Sequence, residues 1–343
     1  MGSVNNLASD TSVLIQEYYE RKALKERVFE HGLLKYCDKD KNIPKNNSKI
    51  AHFHKWAKFA KAKYVAENSD PAAGIAASVS EVTVEVNEIA SYIDVPNYSD
   101  VQRIESLIKE SYVKFVEQAE RSCSYYTTVG VNGGSTALTA ALLADGSITA
   151  TGNSFTALPI IYANGKKSFA ELGPNDQIKN TDIQRAVSLL RQRGAPKING
   201  GYMCLLNPWT EEDLLSYDAD FRSFWKLNME AMKEGKLSKW AGAFIDDEDE
   251  PFREQSGAAA NEGTYAAGGD VITTYVLGSG ALGVTQIMGK TGWKPKFKVQ
   301  DVTKTGAVTS IGYRIPFAPI VLDATFGVQI KSVAANPGIA NVS

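Results

Sequence analysis

Between Ser99 and Arg121 the chain carries the pattern of one very long helix. Ser99 with Gln102 makes a capping box, and Ile104, Leu107, Ile108, Phe115, Val116 and Ala119 recur on one apolar stripe. Arg103, Glu105, Lys109, Glu110, Lys114, Glu117 and Arg121 fill the other face. A run of about 25 residues at about 1.5 Å each makes a rod of about 40 Å. A helix of that length calls for a long surface to lie on. The 343 residues allow roughly two domains or one elaborated one.

What precedes the helix has a different character. Lys35 to Lys63 holds nine lysines, no arginine and only the acids Asp38 and Asp40. It opens with the turn-rich DKDKNIPKNNSK, then alternates from Lys49 to Trp56 as a strand does. After Asp70-Pro71 and the small-residue passage AAGIAASVS comes a second strand candidate, Val82 to Val86. Residues 37–82 therefore read as a long two-stranded excursion and not as a packed domain. Upstream, Val13, Leu14, Tyr18, Leu24 and Val28 predict a helix over 11–33. Downstream, Thr181 to Gln184 is a second capping box, opening a short helix with Ile183, Val187 and Leu190 on one side. Gly194 and Pro196 stop it. A strand from Tyr202 to Leu206, a turn at Asn207-Pro208, helical pieces to about Lys239, a strand from Val271 to Leu277 and an apolar ending from Ile311 to Val333 follow.

Composition narrows the chemistry. Lys plus Arg number 37 against 39 Asp plus Glu, so no whole-chain field draws the protein to nucleic acid or to an anionic membrane. No apolar run approaches the ~20 residues that span a bilayer. The first ten residues lack the basic start and apolar core of a signal peptide, and Asn6 breaks a myristoylation motif. The chain is expected to be made and kept in the cytoplasm, or in something assembled there. Cys37, Cys123 and Cys204 are far apart with no Cys-x-x-Cys, which excludes a disulfide framework or cysteine zinc site. His31, His52 and His54 are the whole histidine complement, so a Ser-His or Cys-His pair could draw its base only from there.

Individual motifs carry little. Gly278-Ser279-Gly280-Ala281-Leu282-Gly283 is a literal G-x-G-x-x-G after a strand, but Val284 to Gln286 continues as strand where a phosphate-binding helix must begin. A glycine-bearing hairpin is the expectation. Gly130 to Ser135 lacks the lysine of a phosphate loop, and His52 with His54 has no further metal ligands nearby. Asp246 to Glu250 lacks the spacing of a calcium loop and reads as a solvated acidic loop, a possible mate for a lysine-rich patch. Trp209, Trp225 and Trp240 read as core or lid packing. No catalytic residue, cofactor site or metal site is assigned. His52 to Tyr64 interleaves lysines with Phe53, Trp56, Phe59 and Tyr64, as a track for single-stranded nucleic acid or, preferably, as an intersubunit ribbon. Its contact candidates are Phe53, Lys55, Trp56, Lys58 and Phe59.

The order of elements, helical arm, basic excursion, strand, very long helix and mixed domain, resembles that of the major capsid proteins of tailed double-stranded DNA phages, and more narrowly the podophage-type branch. Tyr19-Glu20-Arg21-Lys22, Ile43-Pro44-Lys45-Asn46-Asn47 and Lys55-Trp56 carry the likeness early in the chain. Thr181 to Pro196, Gly201-Tyr202, Asn207-Pro208, Glu234-Gly235-Lys236-Leu237 and Trp240-Ala241-Gly242 with Phe244 carry it in the middle. Gly278 to Gly283 and Gly312-Tyr313 carry it late, while Glu88 to Tyr92 departs where a glycine is usual. The resemblance implies an α+β capsid fold in four parts. These are an arm (1–36), an extended loop (37–82), a peripheral domain (83–128 and 305–343) and an axial domain (129–304). It implies a non-enzymatic shell protein that forms hexamers and pentamers of an icosahedral virion around double-stranded DNA. Its partners would be its own copies, a portal protein, and scaffold or decoration proteins, with no membrane and no cofactor. An encapsulin-type shell around cargo enzymes is the nearer alternative, and a hydrolase or dehydrogenase on residues 130–310 the more distant one.

Overall fold

The computed structural model describes residues 32–43, 50–56, 77–96, 107–144, 156–173, 175–227, 239–248, 253–255, 270–287, 296–301 and 308–334, with Phe59, Lys61, Ala62, Tyr64, Glu67 and Gly74 between the second and third of these. The capping box at Ser99 and the predicted helix over 11–33 lie outside them, except for Gly32 and Leu33, which open a short helix. In chain order the elements are α1 (Gly32–Lys35), β1 (Asp38–Ile43), β2 (Ile50–Trp56), β3 (Val79–Glu85), β4 (Asn87–Pro96) and α2 (Leu107–Ala144). Then come β5 (Ile160–Tyr162), α3 (Asn180–Arg193), β6 (Tyr202–Leu206), α4 (Pro208–Tyr217), α5 (Ala219–Leu227), β7 (Lys239–Trp240) and β8 (Ala243–Asp247). The last are β9 (Arg253–Gln255), β10 (Asp270–Leu277), β11 (Leu282–Ile287), β12 (Lys296–Asp301), β13 (Val308–Val321) and β14 (Gly327–Val333).

They form a five-stranded sheet (β1-β11-β13-β12, with β4 also on β13), a seven-stranded sheet (β5-β14-β10-β6-β8-β7, with β9 on β10) and a two-stranded ribbon of β2 and β3. Two expectations change here. β1 is not part of an excursion, because it pairs in parallel with β11 in the five-stranded sheet. Gly278 to Gly283 is not a hairpin. β10 and β11 belong to different sheets, and the glycines carry the chain across between them. In sequence the two sheets interleave. β11 and β12, inside the expected 129–304 segment, lie in the five-stranded sheet, and β14, beyond it, lies in the seven-stranded one.

Strand β13 alternates, with Thr309, Ile311, Tyr313, Ile315 and Phe317 all turned inward. Helix α2 lies on that face. Tyr112 meets Phe297 at 4.8 Å between ring centres and Phe115 meets Tyr313 at 5.4 Å, both tilted pairs of the favoured kind. The helix has 38 residues and runs well past its expected end, with one non-helical residue at Gly134. Four of its polar residues bond back onto the helix. Ser122, Thr127, Thr128 and Asn132 each donate to the carbonyl four residues earlier, at 2.7–2.8 Å. Asn132 also donates to the Tyr275 hydroxyl at 2.7 Å, so the helix reaches the seven-stranded sheet. Gly130 to Ser135, which lacks the lysine of a phosphate loop, lies within α2 and departs from helical geometry at Gly134.

On the other face of the seven-stranded sheet, Ile183, Val187 and Leu190 of α3 pack on Cys204, Val276, Val328 and Ile330. The helix begins at Asn180, one residue before the expected capping box. Asp182 at its third position accepts the Lys179 amide at 3.2 Å, and Gly194 ends it in the left-handed conformation. Asn207-Pro208 is a helix start and not a plain turn, since the Asn207 side chain accepts from the Trp209 amide at 3.1 Å. Trp240 packs edge-on against Phe221 at 5.2 Å, as core. The Trp225 side chain lies outside the described residues.

The buried Asp218 ties this region together. Its Oδ2 accepts the Asn180 amide at 2.8 Å, and its Oδ1 accepts the Asp220 and Phe221 amides at 3.1 and 3.0 Å. One carboxylate thus caps the amino ends of α3 and α5. Asp218→Ala is expected to cost about 2–4 kcal/mol, the sum of two lost caps. Gln184→Ala, on the exposed side of α3, is expected to stay within about 0.5 kcal/mol. Urea denaturation of the two variants checks both.

Candidate assembly surface

The ribbon is amphipathic with a period of two. In β2, Ala51 is buried and Phe53 and Lys55 are partly covered, whereas His52, His54 and Trp56 face out. Cross-strand register places Ala51 by Val84, Phe53 by Val82, Lys55 by Ser80 and Trp56 by Val79. Ala51 and Val84 belong to the main core beneath α2, and Phe53 and Val82 pack against it. Lys55 reaches Asp323, which follows β13, with Nζ to Oδ2 at 2.6 Å. The ribbon therefore lies along its own body and does have a core, contrary to expectation.

The alternation also separates the candidate contacts. Phe53 and Lys55 point inward and are engaged within the chain. Trp56, 65% exposed, sits on the opposite face with exposed Val79 beside it. Phe59 and Tyr64 are exposed farther along, and Lys58 lies outside the described residues. Phe53 and Trp56 thus cannot anchor one partner from the same face, although strand periodicity alone would have said so. His52 pairs with Glu81 across the ribbon. Among the described residues no cluster of three metal-binding side chains occurs.

A second attachment holds the arm. Leu33 and Leu34 are buried, the Leu33 amide donates to Glu248 Oε2 at 2.7 Å, and Lys35 meets Asp246 at 2.8 Å. The Tyr36 hydroxyl also donates to Asp246. A Cβ on Gly32 would lie 2.5 Å from the Asp247 carbonyl oxygen, so only glycine admits this approach. The hydrogen bond that Lys35 donates to Asp246 raises the Lys35 pKa, and burial together with Asp246 pushes Tyr36 up to about 12. The acidic stretch is therefore a receptacle for the chain's own arm. Asp246 and Asp247 belong to β8 and Glu248 is 2% exposed, so these three are not part of a solvated loop, while Asp249 and Glu250 lie outside the described residues.

Cysteine offers no nucleophile here. All three thiols are buried. Burial pushes Cys204 up to about 12, and burial with Glu120 nearby pushes Cys123 up as well. No helix among the described residues is long and apolar enough to cross a membrane.

No family model matches the chain, and no curated protein matches it. Solved structures do. The capsid of Ralstonia phage GP4 superposes with a TM-score of 0.62 at 14% identity, covering 86% of each chain. The head of Helicobacter pylori bacteriophage KHP40 gives 0.61 at 10% identity, over 90% of this chain and 93% of that one. The capsid of cyanophage P-SCSP1u gives 0.58 at 13% identity over 90% of both. The fold is the α+β fold of tailed-phage capsid proteins.

The Lys55–Asp323 contact has a pH signature. Burial alone would raise the Asp323 pKa, but Lys55 and Thr325 outweigh it and the pKa is lowered. A lowered carboxylate pKa stabilises above the ordinary range near about 4, and that contribution is lost as pH falls through the folded value. Protection of the β2 and β3 amides, corrected for intrinsic exchange, is expected to drop on acidification below that range. In Asp323→Asn it is expected to be low throughout, without the step.

Proposed function

We propose that the chain is the major capsid protein of a tailed double-stranded DNA phage. It assembles with its own copies into hexamers and pentamers of an icosahedral shell. The observation that carries this reading is a likeness spanning 86% or more of both chains in capsid after capsid. A likeness over 86–90% of this chain leaves little of it for a separate enzymatic domain. The exposed Trp56, with Phe59 and Tyr64 beyond it, supports self-association, since apolar surface of this kind on an otherwise folded body marks a contact site.

In this reading the five-stranded sheet with α2 is the peripheral part and the seven-stranded sheet with α3 to α5 the axial part. The ribbon, together with the chain between β2 and β3, is the extended loop. Trp56 and Phe59 are its apolar contacts and Lys58 a rim charge, while Phe53 and Lys55 position it. Portal and scaffold or decoration proteins would be further partners, packaged DNA would be contacted without sequence preference, and synthesis would occur in the host cytoplasm.

Electron microscopy of the expressed full chain, alone and with its phage partners, tests this. Closed shells or free hexamers and pentamers are expected, and particles from infected cells should contain double-stranded DNA. A strictly monomeric protein in lysate and purified particles alike would overturn the proposal. Shells filled with cargo protein would favour the encapsulin reading. Trp56→Ala should keep the wild-type circular dichroism and melting yet assemble poorly, because a buried aromatic anchor dominates such a contact. Lys58→Ala should act mildly and mainly at low salt.

A further inference from the structure

Two crossovers carry the chain between the sheets. Residues 278–281 lead from β10 to β11, and residues 322–326 lead from β13 back to β14. They are stitched to each other. The Gly278 amide donates to the Phe326 carbonyl at 2.8 Å, and the Leu322 and Asp323 amides donate to the Ala281 carbonyl at 2.9 and 3.3 Å. The Ser279 amide donates to the Pro196 carbonyl at 3.0 Å, which ties in the end of α3. A Cβ at Gly278 would come within 2.7 Å of that same carbonyl, so the joint is closely fitted.

Asp323 sits in this joint and uses its oxygens separately. Oδ1 accepts from the Thr325 amide at 2.9 Å and its hydroxyl at 2.6 Å, which holds the turn of residues 324–326. Oδ2 receives the Lys55 ammonium at 2.6 Å. The carboxylate is 7% exposed and the lysine 42%. When one member of such a pair is withdrawn, the penalty falls on the buried charge that stays behind. Here that charge lies inside the joint and the withdrawable partner lies on the ribbon.

We infer that the Lys55–Asp323 pair couples the position of the β2–β3 ribbon to the joint between the two sheets, so that lifting the ribbon loosens the joint. The coupling is reciprocal by necessity: a change in the angle between the sheets that moves Asp323 also weakens the hold on the ribbon. In a shell (a consequence that rests on the capsid reading) a ribbon drawn onto a neighbour would relax the angle between the sheets of the subunit that extends it. One sequence could then fit both pentamer and hexamer.

Hydrogen–deuterium exchange on the unassembled full chain tests this, comparing wild type with Lys55→Met. Of the crossover residues Lys55 bonds only Asp323 and takes no part in the backbone bonds that join the crossovers, so a purely local role would speed exchange in peptides over 50–56, 79–85 and 320–327 but not in 278–283. Coupling is expected to speed 278–283 as well, by about threefold or more, with α3 and β6 unchanged. Asp323→Asn, whose amide oxygen can still hold Thr325, should behave alike and carries the comparison if Lys55→Met does not fold. Lys55→Arg should restore protection in both regions. Acceleration confined to the ribbon and 320–327, or none anywhere, overturns the inference. Because exchange is read on free subunits, failure of the shell reading leaves this result standing, and the reverse also holds.

Discussion

The packing of α2 on β13 is the contact on which the rest of the molecule depends. Tyr112 and Phe115, one turn apart, set their rings against Phe297 and Tyr313 on adjacent strands. Buried aromatic surface of this size outweighs the modest helix propensity of the residues that follow. With its first half fixed, the helix carries its second half to Tyr275 in the other sheet. One core runs beneath it, from Ile311 and Ile315 of the five-stranded sheet to Leu205, Tyr275 and Leu277 of the seven-stranded one. The sheets are thus held by a common apolar surface, and the crossovers add directional bonds to it.

Attachments to this body are of another kind. The arm is held by Glu248 and Asp246, the ribbon by Asp323, and the helices of the seven-stranded sheet by Asp218. In each case a carboxylate accepts from groups far away in sequence, with geometry that a hydrophobic contact does not impose. These bonds add direction to the apolar contacts through which Leu33, Leu34, Ala51 and Val84 join the same core.

Much of the fold was legible in the residues. The spacing of Ile183, Val187 and Leu190 places α3, unbroken apolar runs place β6 and β10, and the alternation of Ala51, Phe53 and Lys55 against Val82 and Val84 places the ribbon. The order of these elements sufficed for the fold class. What stayed hidden depends on distant chain. The far half of α2 is rich in Gly, Ser and Thr; its hydroxyls find carbonyls one turn back, and its Tyr126 and Val131 lie in the core that both sheets share. Nothing local tells that Asp246 and Glu248 face Lys35 and Leu33, or that β1 joins β11. Of the proposed assembly surface, Trp56 and Phe59 are candidates that the sequence names. The inward turn of Phe53 and Lys55 follows from period two once the body they lie on is known.

That inward turn changes what the ribbon can contribute to association. A free two-stranded ribbon is marginal in water, and ordering one on binding would consume much of the energy of the contact. Here the inner face is already occupied by the body through Ala51, Phe53 and Val84, and the strand register is set over all seven cross-strand pairs from Ile50–Glu85 to Trp56–Val79. Only the outer face near Trp56 and Val79 still lacks apolar cover. A partner that supplies it meets a surface whose backbone is already ordered, so most of the gain from burying the indole appears as affinity. The same arrangement limits misassociation. The edge presented is short, and His52 and Glu81 form a polar pair beside it that a stray strand would have to desolvate.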